Sequence, residues 1–160
     1  MGWSKVNCDA GFSKASGRMG LGIVVHNSEG NVLAARSLSR VGLLEPIMRE
    51  TVASYHAALL CKELALTHVI LKSDAKQVVN DIVSGEKNNS LFGHLVDDTI
   101  TIPQAFSEWK CVHINRTANA AAHNLAKTAT CDIIDRTWSY CIPECIRHVI
   151  LMDNSIPSSD

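Results

Sequence analysis

The sequence predicts an α/β fold: a mixed five-stranded sheet, three antiparallel strands followed by two parallel ones, with helices on both faces. Three observations carry this. Three strand-like runs stand at the start of the chain, split by short Gly, Asn and Ser-containing breaks, as in an antiparallel meander. After Pro46 helical periodicity alternates with two short apolar runs, Val69–Leu71 and Trp109–Ile114, which calls for crossover connections. The 160 residues are 46% hydrophobic and 19% charged, enough for one domain with a proper core and too apolar for a disordered chain. Residues 1–153 are expected to form that domain and 154–160 a disordered tail.

Residues 4 to 10 alternate as a strand, and Phe12 to Gly20 reads as a loop. Leu21 to His26 is the second strand, Asn27 to Asn31 a turn, and Val32 to Ser39 the third strand. A helix opens at Pro46, a residue suited to a first helical position, and runs to about Leu66. Val69–Ile70–Leu71 is a buried strand that ends in the polar tip Lys72–Ser73–Asp74. Ala75 to Val83 is a helix stopped by Ser84–Gly85, and Leu91 to Phe106 another, disturbed by Pro103. The last strand, Trp109 to Ile114, leads into an alanine-rich helix from Ala118 to Ala129. A short helix is expected from Pro143 to Met152.

The totals exclude several functions. The formal charge is −1, so binding to nucleic acid would need a local site rather than an overall basic field. No apolar run approaches the ~20 residues that span a bilayer. Six cysteines without a secretory signal read as free thiols, and an intracellular protein of the nucleus or cytoplasm is expected. Cys141 and Cys145 with His148 are poorly spaced for zinc, and no fourth ligand stands near. With 5% aromatic residues, a metal-free scaffold that stacks RNA bases has little to build on.

Three acids stand out. Asp9 interrupts the strand Val6–Asn7–Cys8, whose neighbours suit burial, and an unpaired carboxylate there is costly. Taken alone, Asp9 reads as a strand-end or Asx-turn residue, Glu50 as an acid that favours the helix dipole, and Asp74 as a helix N-cap. Taken together they converge. If the fourth strand pairs in parallel with the first, Asp9 and Asp74 meet at one sheet edge. Glu50 continues the small apolar face of Ala53, Ala57, Cys61 and Leu64 and points inward. Three converging carboxylates call for cations, and oxygen ligands select magnesium or manganese.

The blocks Trp3–Ala10, Gly20–Val24, Arg49–Ala53, Leu71–Ala75 and Asn115–Lys127, with Trp138, Pro143 and Asp153 in the tail, carry a further reading. Over residues 3 to 153 the chain resembles the plant reverse-transcriptase-like branch of the type 1 ribonuclease H family. The resemblance implies a ribonuclease H-like fold and a two-metal endonuclease that cuts the RNA strand of RNA–DNA hybrids. It implies two divalent cations, magnesium or manganese, held by Asp9, Glu50, Asp74 and His123. No organic cofactor and a monomeric state are expected.

The chain departs from that family in two places. Where the family carries a fourth aspartate, His123 stands, which implies a weaker second cation and a preference for manganese; the other reading of His123 is an ordinary helix hydrogen bond. The basic helix-loop that grips the hybrid in bacterial forms is not evident between Gly85 and Trp109, where Lys87 faces Asp97 and Asp98 in composition. Nucleic-acid contact then falls to Lys14, Arg18, Lys76, Asn80, Arg116, Asn119 and Lys127. His113 lies in a strand and is given no catalytic role; His26, His56, His68, His94 and His148 read as structural or surface. The alternative is a weak or inactive nucleic-acid-binding module derived from a retroelement.

Overall fold

The computed structural model describes residues 2–42, 45–85, 98–99 and 101–155. The meander is present as β1 (Ser4–Ser13), β2 (Arg18–His26) and β3 (Val32–Val41), paired antiparallel in sequence order. Between β1 and β2 the expected long loop is a turn over 14–17. The Gly17 N–H donates to the Ser13 carbonyl at 2.9 Å, and Gly17 takes φ 66°, a value other residues rarely adopt. The second turn is an Asx turn, in which Asn27 Oδ1 accepts from the N–H groups of Glu29 and Asn31.

Helix α1 (Pro46–Glu63) carries the chain across one face and buries Ala53, Ala57, Leu60 and Cys61. Ala65, at φ 56°, breaks the helix short of Leu66. The chain then enters β4 (His68–Ser73), parallel to β1, and α2 (Lys76–Ser84) follows, stopped by Gly85 in a left-handed cap. β5 (Glu108–His113) lies parallel to β4. Most of the helix predicted from Leu91 to Phe106 lies outside the described residues, as do Lys87, His94 and Asp97. Asp98, Thr99 and Thr101 are helical, and a 3-10 turn at Ile102–Ala105 takes over. A 3-10 turn at Thr117–Asn119 leads into α3 (Ala120–Ala129).

The sheet has six strands rather than five, in the order β5-β4-β1-β2-β3-β6. The sixth, β6 (Arg136–Ser139), pairs antiparallel with β3. It escapes sequence patterning because it is four residues long, mostly exposed and on the sheet edge, where no apolar alternation is imposed. The helix expected at Pro143–Met152 is a 3-10 turn, Glu144–Ile146, followed by α4 (Arg147–Ser155), which continues past Met152. All six cysteines are free thiols.

Two layers of core follow from the strand alternation. Val6, Cys8, Ile23, Val69 and Leu71 face α1 and α2. Val24 and Ala35 face the other way, against Ala121, Leu125, Ile146 and Ile150. Burying a side chain such as Leu125 contributes roughly 1.5–3 kcal/mol. Helix α3 comes unusually close to β2: a Cβ at Gly22 would collide with the Ala122 carbonyl and the Ala126 nitrogen, and one at Gly20 with the Ala126 carbonyl. These two positions require glycine for the backbones to meet.

Candidate metal centre

The notch that holds the site is built by the end of a strand pairing. β1 pairs with β4 only from Ser4↔Val69 to Asn7↔Lys72, whereas β1 continues pairing with β2 through Ser13. Beyond Asn7 the two parallel strands part. Asp9, still within β1 and opposite Gly22, then faces Asp74, the first residue after β4. Asp9 is therefore neither a strand end nor an Asx turn. Asp74 does not cap α2: Ala75 occupies the N-cap, no side-chain cap bond is made, and the Ala75 N–H goes to Ser73 Oγ at 3.1 Å.

Glu50 comes from α1, past its first turn, which contains no acid. Its place is fixed by a helix that bonds back on itself and onto β1. Thr51 Oγ1 donates to the Ile47 carbonyl at 2.8 Å, and Ser54 Oγ to the Glu50 carbonyl at 3.1 Å. Ser54 Oγ also lies 3.7 Å from Cys8 Sγ, one residue before Asp9. The small face of Ala53 and Ala57 lets α1 lie flat on the sheet, so Glu50 reaches the notch.

Ligand oxygens of Asp9, Glu50 and Asp74 all lie within 4.8 Å of one another. Among the described residues no other group of three metal-ligating side chains forms, so Cys141, Cys145 and His148 make no centre. The electrostatics are those of a crowded acidic site. Burial, with the Asp9 charge beside it, pushes the Glu50 carboxyl up to about 9. Burial and Asp9 also raise Asp74, against the pull of Arg116 and His123. Glu50 Oε2 and Asp74 Oδ2 are buried without a hydrogen-bond partner. Two buried carboxylate oxygens without a hydrogen bond, in a notch where three acids converge, fit a hard divalent cation, which would supply further positive charge and coordination.

His123, on α3, meets this group through one member. Its Nδ1 lies 2.8 Å from Asp9 Oδ2, and its side chain is 42% exposed. It shares no common ligand volume with the three acids. The close seat of α3 on Gly20 and Gly22 accounts for the contact, because Gly22 is the β2 partner of Asp9.

The expected nucleic-acid contacts divide. Lys14, Lys76, Asn80, Arg116 and Lys127 are exposed. Arg116 Nε stands 3.9 Å from Asp74 Oδ2, at the mouth of the notch. Arg18 is partly buried and donates from Nε to Ser39 Oγ at 2.8 Å. Asn119 corrects the expectation: it is fully buried and offers nothing to a ligand. Its Nδ2 donates to the Cys8 carbonyl at 2.9 Å, and its Oδ1 accepts from Asn7 Nδ2 at 3.1 Å. It ties the start of α3 to β1 because a buried amide must find partners for its donors and acceptors within the protein. His113 is exposed at the end of β5.

The sequence profile described as Reverse transcriptase-like matches residues 7–129. Among solved structures, the type 1 ribonuclease H of Halobacterium salinarum superposes with a TM-score of 0.72 at 19% identity, over 80% of this chain and 97% of that one. The N-terminal ribonuclease H domain of a Mycobacterium tuberculosis protein gives 0.72 at 21%, over 81% and 94%. A compost-derived type 1 ribonuclease H, solved with an RNA/DNA hybrid, gives 0.68 at 21%, over 79% and 95%. No curated protein sequence matches the chain. Likeness at this identity establishes the fold, and the profile covers well over half of the residues: the chain belongs to the Reverse transcriptase-like family and has the ribonuclease H-like fold.

Proposed function

We propose that this protein is a divalent-cation-dependent endonuclease that cuts the RNA strand of RNA–DNA hybrids. The observation that carries the reading is the convergence of Asp9, Glu50 and Asp74 within 4.8 Å, with one buried oxygen each of Glu50 and Asp74 lacking a hydrogen bond. The fold supports it, and one relative of that fold was solved holding an RNA/DNA hybrid.

Asp9, Glu50 and Asp74 would hold the cations, magnesium or manganese, with His123 beside them. When bound, such ions supply Lewis acidity at a phosphodiester and an activated water at neutral pH. The protein's own residues prepare the place. Asp9 is oriented by His123, Glu50 is held by the α1 seat on β1, and Asp74 is set by the end of β4. Arg116, exposed at the mouth, is placed to meet a phosphate once Asp74 is engaged elsewhere. Selectivity for RNA would come from contact with the 2′-hydroxyl. We further propose that the protein is monomeric and intracellular, of the plant branch and derived from a retroelement.

One observation favours a second reading, a weak or inactive nucleic-acid-binding module: His123 bonds Asp9 alone rather than joining the three acids. Labelled RNA–DNA hybrid, RNA duplex and DNA duplex offered in parallel separate the two. Cleavage confined to the RNA of the hybrid, and abolished in Asp74→Asn, supports the nuclease. Hybrid bound but left intact with either cation supports the module.

A further inference from the structure

Among the described residues, helices cover only part of one sheet face. On the side away from α1, helices α3 and α4 pack over β1, β2, β3 and β6, and among the described residues none packs over β4 and β5. The strand registers say which side chains this leaves. Val69, Leu71, Trp109 and Cys111 turn toward α1, so the alternate residues turn to the bare side. Lys5, Ile70 and Lys110 form one cross-strand row, and Lys72 and Val112 the next, which ends at Asn7 where that residue is buried against Asn119. The row after that begins with Asp9 and lies beside Asp74.

Three ammonium groups therefore share a patch roughly 10 Å wide and 7 Å tall, given strand spacings of about 4.8 Å and a two-residue repeat of about 6.8 Å. None of the three forms an ion pair among the described residues. Their crowding is visible in their neighbours: burial and then Lys5 lower the Lys72 ammonium, and burial with Lys72 and Lys5 lowers His26 to about 4. Lys110 Nζ is held 4.7 Å from the centroid of the Trp3 ring, which also meets His68 edge-on. Glu108, opposite His68, is the carboxylate on the far rim. Gathering like charges on an uncovered sheet face costs stability, and a polyanion would relieve it.

We infer that the bare half-sheet of β1, β4 and β5 is a binding track for a single-stranded nucleic acid, whose phosphates lie against Lys5, Lys72 and Lys110 and lead toward the Asp9–Asp74 notch. The patch is the size of a short run of one backbone and too narrow for both backbones of a duplex lying across it. The inference rests on the nucleic-acid reading above and assigns it a second binding surface, on the unpaired strand that flanks a hybrid.

The test uses the full chain and a fluorescent single-stranded RNA of about 12 nucleotides, with the matching DNA as a second arm, followed by anisotropy. The variant is Lys5→Gln/Lys72→Gln/Lys110→Gln, checked for folding by circular dichroism. Affinity for both strands is expected to fall by about tenfold or more. The slope of log affinity on log salt should fall by about 2, since each phosphate that a lysine no longer neutralises removes roughly 0.7. Acetylation of the wild-type lysines gives a readout independent of any variant: the strand should protect Lys5, Lys72 and Lys110 but not Lys62. Unchanged affinity in the folded variant, or no protection of the three lysines, overturns the track. Cleavage of a blunt-ended hybrid is measured beside these. Its presence with no strand binding rejects the track and leaves the nuclease standing, whereas strand binding with no cleavage does the reverse.

Discussion

His123 Nδ1 stands 2.8 Å from Asp9 Oδ2, across an interface between α3 and the strand pair β1–β2. The contact couples a half-exposed imidazole to a carboxylate side chain that is only 5% exposed. It sets an imidazole rather than a further carboxylate against Asp9, and several expected outcomes depend on that pairing.

His123→Asp adds a fourth carboxylate beside the three acids. A hard cation is then better served, so cleavage supported by magnesium should rise relative to manganese. His123→Ala removes the partner of a buried carboxylate and should cost about 1–3 kcal/mol of stability. The ratio of initial rates with the two cations, beside thermal melts, checks both.

The contribution of Glu50 to the pH dependence of the metal-free protein has a definite sign. Glu50 ordinarily ionises at 4.5 and is raised to about 9 by burial and by Asp9. Below 4.5 Glu50 is protonated in both the folded and the unfolded forms and contributes no pH dependence. As pH rises toward 9 Glu50 ionises in the unfolded chain while the folded one resists, so its contribution lowers stability. The drop should reach about 2–4 kcal/mol after allowance for coupling within the cluster. Glu50→Gln should flatten the curve and stabilise the metal-free protein, and added manganese should flatten it in the wild type. Urea melts from pH 5 to 9 measure this directly.

Gly22→Ala tests the seat of α3. The new methyl meets the Ala122 carbonyl and the Ala126 nitrogen, which are backbone and cannot turn aside. A destabilisation of about 1–3 kcal/mol is expected from overpacking. Because Gly22 faces Asp9, the His123 contact should loosen, visible as a change in the imidazole NMR shifts of any folded variant.

Asn119→Ala leaves the Cys8 carbonyl without its donor and Asn7 Nδ2 without its acceptor, both in the core. A cost of about 2–4 kcal/mol follows from two orphaned polar groups. Single-strand binding by the folded fraction should be unchanged, because Asn119 is out of reach of solvent.

The parts of the fold visible in the sequence are those where burial imposes a period. β1, β4 and β5 carry an apolar face against α1, and the small face of α1 is legible as Ala53, Ala57 and Cys61. That much is enough to bring Asp9, Glu50 and Asp74 together from strand order and helix face alone. β6 stays hidden because an exposed four-residue edge strand has no pattern to show. Asn119 misleads because a polar residue beside Arg116 suggests exposure, whereas its amide is bonded to β1. Lys5, Lys72 and Lys110 are far apart in the chain, and only the registers of two parallel pairings set them side by side.

The central claim is that the three acids are a cation site that does nuclease work. It is tested most directly by cleavage of a labelled RNA–DNA hybrid with magnesium and with manganese, beside Asp9→Asn. Asp9→Asn keeps the size of a side chain buried opposite Gly22 and removes its charge. Cation-dependent cleavage of the RNA strand by the wild type, abolished in Asp9→Asn, is the predicted result. Equal cleavage by a folded Asp9→Asn protein, or none by the folded wild type with either cation, would contradict it.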